Sequence, residues 1–208
     1  MRLVTNAAGL ALCLAAGCSE GVSPVPVSTA VAGETDAVPG RSGEWALVDG
    51  SALVLAETGA LEIRGPAGAI AIAEGVMGLP SLSEGGARFV FAHRVHQGSG
   101  TAVSAVSLRD GVWTAPRILT DAGNPDLVAI SKDGSRVAFV AGANGIAAVW
   151  VVPFDGGAPL QLTNVDLRRV GKGPPEGFVP IPFREPPRFA ADKLVWSARD
   201  GEHAVVLP

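Results

Sequence analysis

The sequence predicts an all-β protein built from repeated antiparallel sheets, and three observations indicate this fold class. A short string of residues recurs along the chain, the chain contains five Asp-Gly pairs, and the apolar runs between these pairs are short. The chain has 208 residues, of which 27 are Gly and 16 are Pro. Many turns between short strands are typical of this pattern. Long stretches of good helix formers are absent beyond the N-terminus.

The overall composition indicates a folded chain and limits its partners. Hydrophobic residues make up 48% of the chain and charged residues 17%, which is typical of a protein that forms a core. The formal net charge is −4. Binding to phosphates requires a clustered basic face, so we expect no nucleic-acid partner.

Residues 1–17 are predicted to be a signal peptide that is not part of the fold. Arg2 supplies a positive start, and an apolar stretch runs from Leu3 to Gly17. This stretch is shorter than the roughly 20 residues that span a membrane. The string "LAAGC" that ends at Cys18 resembles a bacterial lipobox, although Ala15 stands where Leu is more usual. An ordinary secretory signal that is cut elsewhere is the alternative.

The lipobox resemblance implies that Cys18 carries a diacylglycerol, with palmitate-type chains that anchor the protein to a membrane. By resemblance to sorting in enterobacteria, Ser19 implies the outer membrane, and we expect the protein to face the periplasm. The two cysteines of the chain, Cys13 and Cys18, both lie in or next to the signal segment. No disulfide is therefore expected in the folded part.

The mature chain divides into a tether and a repeat region. Residues 18–43 lack any hydrophobic period and are rich in Pro, Ser, Gly and Thr, which predicts a flexible tether. The repeats occupy residues 44–208. The string at 133–139 matches 85–91 and 49–55, and a fainter copy lies at 191–196. The last large apolar residues of these copies are spaced by 36, 48 and 57 residues (Leu55, Phe91, Phe139 and Trp196).

Each repeat is expected to form one antiparallel sheet. The uneven gaps scatter around the period of about 40–45 residues that is typical of β-propeller blades, which tolerate insertions in their loops. The Asp-Gly pairs predict type I′ hairpin turns, because both residue types accept positive φ angles. The segment "AAVWVVPF" at 147–154 is apolar on both faces, as expected for a strand sandwiched between two sheets.

One repeat resembles a known family. Residues 130–164 resemble the propeller repeat of TolB proteins, with the pattern positions filled by Ser131, Asp133, Gly134, Arg136, Phe139, Trp150, Asp155, Gly156, Gly157, Leu162 and Thr163. TolB-type propellers have six blades and a separate N-terminal domain, and this chain is too short for both. We therefore expect an incomplete or small β-propeller of three to four antiparallel blades, with a Pro-rich insertion at 164–188 and an exposed edge.

No catalytic or metal site is predicted. His93 and His96 have a spacing seen among metal ligands, but positions i and i+3 of a strand point to opposite faces. The Asp residues stand one per turn rather than in a calcium-binding loop. Nucleophile-elbow, zinc-protease and phosphate-loop motifs are absent from the sequence. We therefore expect a protein that is not an enzyme and uses no cofactor.

Two candidate binding features remain. An exposed Trp113 beside a turn could anchor a partner, although a Trp is more often buried in a core. The insertion at 164–188 is locally basic and carries six prolines. Its candidate binding residues are Arg168, Arg169, Lys172, Phe178 and Phe183. The alternative is a packed connection that covers the open end of the sheets.

The sequence thus predicts a lipid-anchored envelope lipoprotein that carries a non-catalytic propeller module. The resemblance to TolB implies protein–protein contacts in the periplasm, with a partner whose identity the sequence does not specify. One alternative is an accessory propeller of a peptidase or another hydrolase, whose catalytic part would lie on another chain or in a continuation. A purely structural envelope lipoprotein without a ligand is a third possibility.

Overall fold

A computed structural model of the chain describes residues 42–95, 100–143, 146–163, 165–166, 185–198 and 201–207. All regular elements in these ranges are β-strands, numbered β1 to β17 in chain order. None of the described segments is a helix long and apolar enough to cross a membrane. The predicted signal peptide at 1–17 and nearly all of the predicted tether lie outside the described residues.

The strands form four antiparallel sheets that follow one another along the chain. The first sheet contains β1 (Gly43–Ala46), β2 (Ala52–Leu55), β3 (Leu61–Gly65) and β4 (Gly68–Ala73). The second contains β5 (Ser81–Leu82), β6 (Arg88–Arg94), β7 (Thr101–Arg109), β8 (Val112–Trp113) and β9 (Arg117–Thr120).

The third sheet contains β10 (Asp126–Ile130), β11 (Arg136–Ala143), β12 (Ile146–Pro153), β13 (Leu160–Gln161) and β14 (Val165–Asp166). The fourth contains β15 (Arg188–Ala190), β16 (Lys193–Ala198) and β17 (Gly201–Val206). Each sheet is a meander in which consecutive strands pair, except that β9 returns to β7 and β14 returns to β12. The predicted all-β class with three to four antiparallel sheets is confirmed.

The sheets stack face to face through three apolar clusters. The first cluster joins the first and second sheets and includes Leu53 and Phe91; the second joins the second and third and includes Val90 and Phe139. The third cluster joins the third and fourth sheets and includes Trp196. Burial of one such side chain contributes roughly 1.5–3 kcal/mol. The stacking therefore supplies most of the stabilisation that holds the four sheets together.

The two middle sheets bury both of their faces. Along β6, Phe89 packs toward the first sheet while its neighbour Val90 packs toward the third. Along β12, Val149 packs toward the fourth sheet while Val152 packs toward the second. Successive side chains of a strand point to opposite faces, so a strand buried on both sides must be apolar throughout. The prediction for 147–154 is confirmed.

The strand register of the first repeat differs from the one that an ungapped alignment of the repeats predicts. That match pairs Leu55 with Phe91, yet Leu55 faces the second sheet and Phe91 faces back toward the first. The hairpin of the first sheet closes with a bond from Leu47 N to Ser51 O, whereas Ser83 N bonds to Arg88 O one residue further along. This one-residue difference reverses which side chains face the next sheet. Leu55 is therefore not the equivalent of Phe91.

The predicted turn type is right at one Asp-Gly pair and wrong at three. At 110–111 both φ angles are positive, 51° at Asp110 and 76° at Gly111, as a type I′ turn requires. At 49–50, 133–134 and 155–156 only the Gly has a positive φ. In these turns the Gly N–H donates to the carbonyl oxygen of the residue three positions earlier, as from Gly134 N to Ser131 O. Asp200 lies outside the described residues.

Candidate binding groove

The first strands of the second, third and fourth sheets line a groove. It consists of two adjoining cavities of about 370 and 420 Å³ that share Lys132 and Phe189. We call it the first-strand groove, and its lining residues are Leu79, Pro80, Ser81, Val128, Ala129, Ile130, Ser131, Lys132, Asp133, Ser135, Arg136, Pro186, Pro187, Arg188, Phe189, Ala191, Asp192 and Leu207. Cavities of this size are typical of sites that take a side chain or a small ligand.

Backbone bonds beside the groove fix its walls. The Ile130 N–H donates to Ser81 Oγ at 3.1 Å, and the Glu84 N–H donates to the Lys132 carbonyl at 2.8 Å. Both bonds join the second sheet to the third. The position of the groove residues therefore depends on the stacking of the sheets rather than on a single loop.

The groove combines an apolar floor with charged ends. Val128 and Ile130 are buried, Phe189 is half-buried, and Lys132 is exposed. Arg188 is also exposed, and its Nη2 donates to Glu202 Oε2 at 2.6 Å. An exposed ion pair of this kind contributes little stability, so the Arg188 guanidinium can exchange partners at low cost.

Asp133 stands in the turn at one end of the groove. Its carboxylate accepts hydrogen bonds from Ser131 Oγ at 2.6 Å, from Ser135 Oγ at 2.7 Å and from Ser135 N at 3.0 Å. The Ser131 hydroxyl, followed by that of Ser135, lowers the pKa of Asp133 to about 2. A carboxylate with this pKa is a weak base at neutral pH. The Ser-Asp-Ser arrangement therefore closes the turn and does not activate a serine.

A second set of polar contacts joins the turns of the second and third sheets. Arg88 Nη1 donates to the Gly134 carbonyl at 2.9 Å, and its guanidinium lies 4.7 Å from the centre of the Phe154 ring. Arg109 Nη2 lies 3.2 Å from Asp155 Oδ1. Arg117 also donates to the Phe154 carbonyl. These arginines hold neighbouring sheets together at the end where the Asp-Gly turns lie.

Trp113 packs within the molecule. It is half-buried, its ring centre lies 5.7 Å from that of Phe89, and its Nε1 donates to Asp49 Oδ2 at 2.8 Å. The ring therefore joins the second sheet to the turn of the first. It does not line the first-strand groove. Its role as a partner anchor stays a prediction.

The other predicted site residues lie outside the described residues: Cys18, Arg168, Arg169, Lys172, Phe178 and Phe183. The last five of these residues belong to the insertion at 164–188, whose residues 185–188 the structure describes. There Pro186, Pro187 and Arg188 enter the wall of the groove. The C-terminal end of the predicted binding loop thus meets the groove.

The histidine motif is described in part. His93 Nε2 lies 2.9 Å from Ser104 Oγ and His93 Nδ1 lies 3.1 Å from the Arg94 carbonyl, so both ring nitrogens have protein partners. His96 lies outside the described residues. Over the part of the chain that the structure describes, no group of three His, Cys, Asp or Glu side chains could hold a metal ion.

Sequence reasoning did not identify Lys132, Phe189 or Ser81 as groove residues. Ser131 and Lys132 belong to the repeated turn, and equivalent turns lie side by side when the sheets stack. The repeat was therefore the signal that could have identified them. Phe189 lies in the fourth repeat, whose match to the others is weak. Its place could be inferred only from the neighbouring sheet.

Comparison with known proteins identifies the fold. No protein-family model and no curated protein matches the chain. TolB from Acinetobacter baumannii superposes with a TM-score of 0.52 at 17% identity, over 79% of this chain and 40% of that chain. A chain of a nidogen/laminin complex gives a TM-score of 0.48 at 15% identity, over 77% of this chain and 57% of that chain.

The likeness to TolB confirms the TolB-like β-propeller fold that the repeat predicted. This chain spans 40% of the length of that TolB structure. At this level of identity the likeness concerns the fold.

Proposed function

We propose that the sheets form a non-catalytic protein-binding module that a lipid on Cys18 holds in the bacterial envelope. The observation that carries this proposal is the first-strand groove. It is concave, it is shared by three sheets, and it combines an apolar floor with the exposed cations Lys132 and Arg188. Such a mixture suits a partner that inserts an apolar side chain and presents polar groups around it.

The chemistry of the groove favours binding over catalysis. Ser131 and Ser135 both donate a hydroxyl hydrogen bond to Asp133, so this carboxylate is the base next to each hydroxyl. A serine nucleophile needs a neighbouring base whose pKa lies near the working pH. Asp133, with a pKa of about 2, does not meet this requirement.

The insertion extends the proposed interface. Its candidate residues Arg168, Arg169, Lys172, Phe178 and Phe183 precede Pro186 and Pro187, which line the groove. A partner that is seated in the groove would therefore meet the insertion as well. The resemblance to TolB and the lipobox favour a partner protein of the cell envelope, with this protein on the periplasmic side of the outer membrane.

Site-specific photo-crosslinking tests the binding surface. A benzoylphenylalanine at Lys132 should give a discrete crosslinked product in intact envelopes. The same residue at Ile70, which is 52% exposed on β4 and away from the groove, should not give that product. Equal products from both positions, or none from Lys132, would contradict the proposed surface.

A separate experiment tests the anchor. Cells fed radiolabelled palmitate should label the wild-type protein, and Cys18→Ser should remove both the label and the association with the outer-membrane fraction. A Cys18→Ser protein that stays in that fraction would show that the anchor lies elsewhere. This result would leave the groove proposal standing, because the crosslinking experiment is independent of it.

A further inference from the structure

A second, more apolar cleft lies between the second and third sheets, away from the first-strand groove. Its volume is about 480 Å³. The face of the third sheet supplies Phe139, Ala141, Ala148 and Trp150, and the segment after β9 covers them only in part. The other lining residues are Thr120, Ala122, Gly123, Gly142, Pro159 and Gln161.

Small side chains create this cleft. Ala141 and Ala148 lie opposite each other on β11 and β12, and Gly123 and Gly142 meet through a bond from Gly142 N to Gly123 O at 2.8 Å. Protein interiors are close-packed, with few voids larger than a water molecule. The cleft opens to solvent beside the cluster that joins these two sheets, and its volume of about 480 Å³ lies in the range of small-molecule sites.

Trp150 supplies a second and independent observation. Its Nε1 is buried and has no hydrogen-bond acceptor in the described structure. A buried donor left without a partner is unfavourable, because no hydrogen bond offsets its loss of hydration. Trp150 is one of the residues that line the cleft, so this unpartnered donor belongs to a lining side chain.

Two other polar side chains of the cleft make local hydrogen bonds. Thr120 Oγ1 accepts a bond from Ala122 N at 3.2 Å, and Gln161 Nε2 donates to the Thr163 carbonyl across a long 3.4 Å. Neither Lys, Arg, Asp nor Glu is among the described residues that line the cleft. The site therefore offers no counter-ion for a charged ligand.

The geometry points to a binding site for a small, neutral, mostly apolar molecule that carries one hydrogen-bond acceptor. The apolar body lies against Phe139, Ala148 and the Trp150 ring, and the acceptor takes the Trp150 N–H after a small rotation of the indole. A cleft of this size suits a ligand of about 15 non-hydrogen atoms. This site is separate from the proposed protein-binding groove and does not depend on it.

The test uses the full chain with Cys18→Ser, so that no detergent competes for the cleft. The probe is prodan, a neutral dimethylaminonaphthalene with a ketone, whose emission shifts to the blue in an apolar site. We expect one-to-one saturation with half-saturation between about 10 and 300 µM, which is the range for a ligand of this size. A matched probe is 2-dimethylaminonaphthalene, which lacks the ketone.

Two variants block the cleft in different ways. Ala148→Leu fills its floor, and Ala122→Leu narrows it from an exposed position. Each should weaken prodan binding more than tenfold, while Ala204→Leu, an exposed residue of β17, should leave it unchanged. Trp150→Phe should weaken prodan by a severalfold larger factor than it weakens the ketone-free probe, because both probes lose ring contact and only prodan loses a hydrogen bond.

Circular dichroism and thermal unfolding establish that each variant is folded. If Ala148→Leu fails to fold, Ala122→Leu decides the result. The proposal is overturned if wild type shows no saturable binding, or if the folded cleft variants bind prodan as well as Ala204→Leu does. An equal effect of Trp150→Phe on both probes would overturn the assignment of the acceptor.

Discussion

Trp113 in the second sheet donates a hydrogen bond to Asp49 in the turn of the first, with Nε1 and Oδ2 separated by 2.8 Å. Asp133, at the equivalent turn of the third sheet, accepts its side-chain bonds from Ser131 and Ser135 within its own turn. The same repeated residue thus has two uses. In one repeat it also joins neighbouring sheets, and in the other it only closes a turn.

The turn at Asp133 should make stability depend on acidic pH. The native pKa is lowered to about 2 from the ordinary 3.8, chiefly by the Ser131 hydroxyl. A lowered native pKa stabilises the fold above the unfolded pKa, and this contribution is lost as the pH falls from about 4 toward 2. Because Asp133 is exposed and solvent screens this effect, Asp133→Asn should cost no more than about 1 kcal/mol at pH 7, and its stability profile should be flatter below pH 4.

Urea unfolding at pH 7, 4 and 2.5 measures this difference. Asp121→Asn is the control, because Asp121 is exposed and makes no side-chain hydrogen bond to a described residue. A wild-type profile that runs parallel to that of Asp133→Asn across this range would show that the carboxylate does not stabilise the turn.

Arg88 should stabilise the junction of the second and third sheets. Arg88→Met keeps the apolar stem but loses the bond to the Gly134 carbonyl and the contact with the Phe154 ring. We expect a loss of about 1–2 kcal/mol in the free energy of unfolding. The more distant Asp155, with its Oδ2 3.8 Å from Arg88 Nη1, adds little because it is exposed.

Arg64→Met is the matched control for this loss. Arg64 forms an exposed ion pair with Glu62 on the same strand, so its replacement should change stability by less than about 0.5 kcal/mol. Equal losses for the two variants in denaturant unfolding would indicate that Arg88 acts only as surface charge.

The sequence predicted the repeat, the sheet class and the two-sided burial of residues 147–154, because the pattern of apolar residues reports which faces of a strand are buried. Phe91, Phe139 and Trp196, the last large apolar residues of the three later copies, are all buried. The first-strand groove could not be predicted in the same way. Phe189 and Lys132 are 57 positions apart in the chain and meet only because the third and fourth sheets stack.

The register of the first repeat was also beyond an ungapped match. The strings at 49–55 and 85–91 look equivalent, yet the first hairpin loop closes one residue earlier. The apolar pattern does not reveal a register shift of one residue here, because Val54 and Leu55 are both apolar and either could face the core. The first sheet reveals the shift only because it buries one face and leaves the other half-open, with Leu53 and Leu55 buried and Val54 half-buried.

This register makes a prediction about two valines that the sequence match treats as equivalent. Val90→Ala should cost roughly 2 kcal/mol, because Val90 is fully buried between the second and third sheets. Val54→Ala should cost roughly a third of that, since Val54 lies on the outer face of the first sheet. Denaturant unfolding of the two variants gives the comparison, and similar losses would contradict the register.

Adjacent residues of the middle strands pack against different neighbouring sheets. Nuclear Overhauser contacts on methyl-labelled protein measure this most directly. We expect contacts from the Phe89 ring to Leu53 or Leu55, and from the Val90 methyls to side chains of the cluster that contains Val128 and Phe139. Contacts of Phe89 and Val90 with one and the same neighbouring sheet would contradict the stacked arrangement.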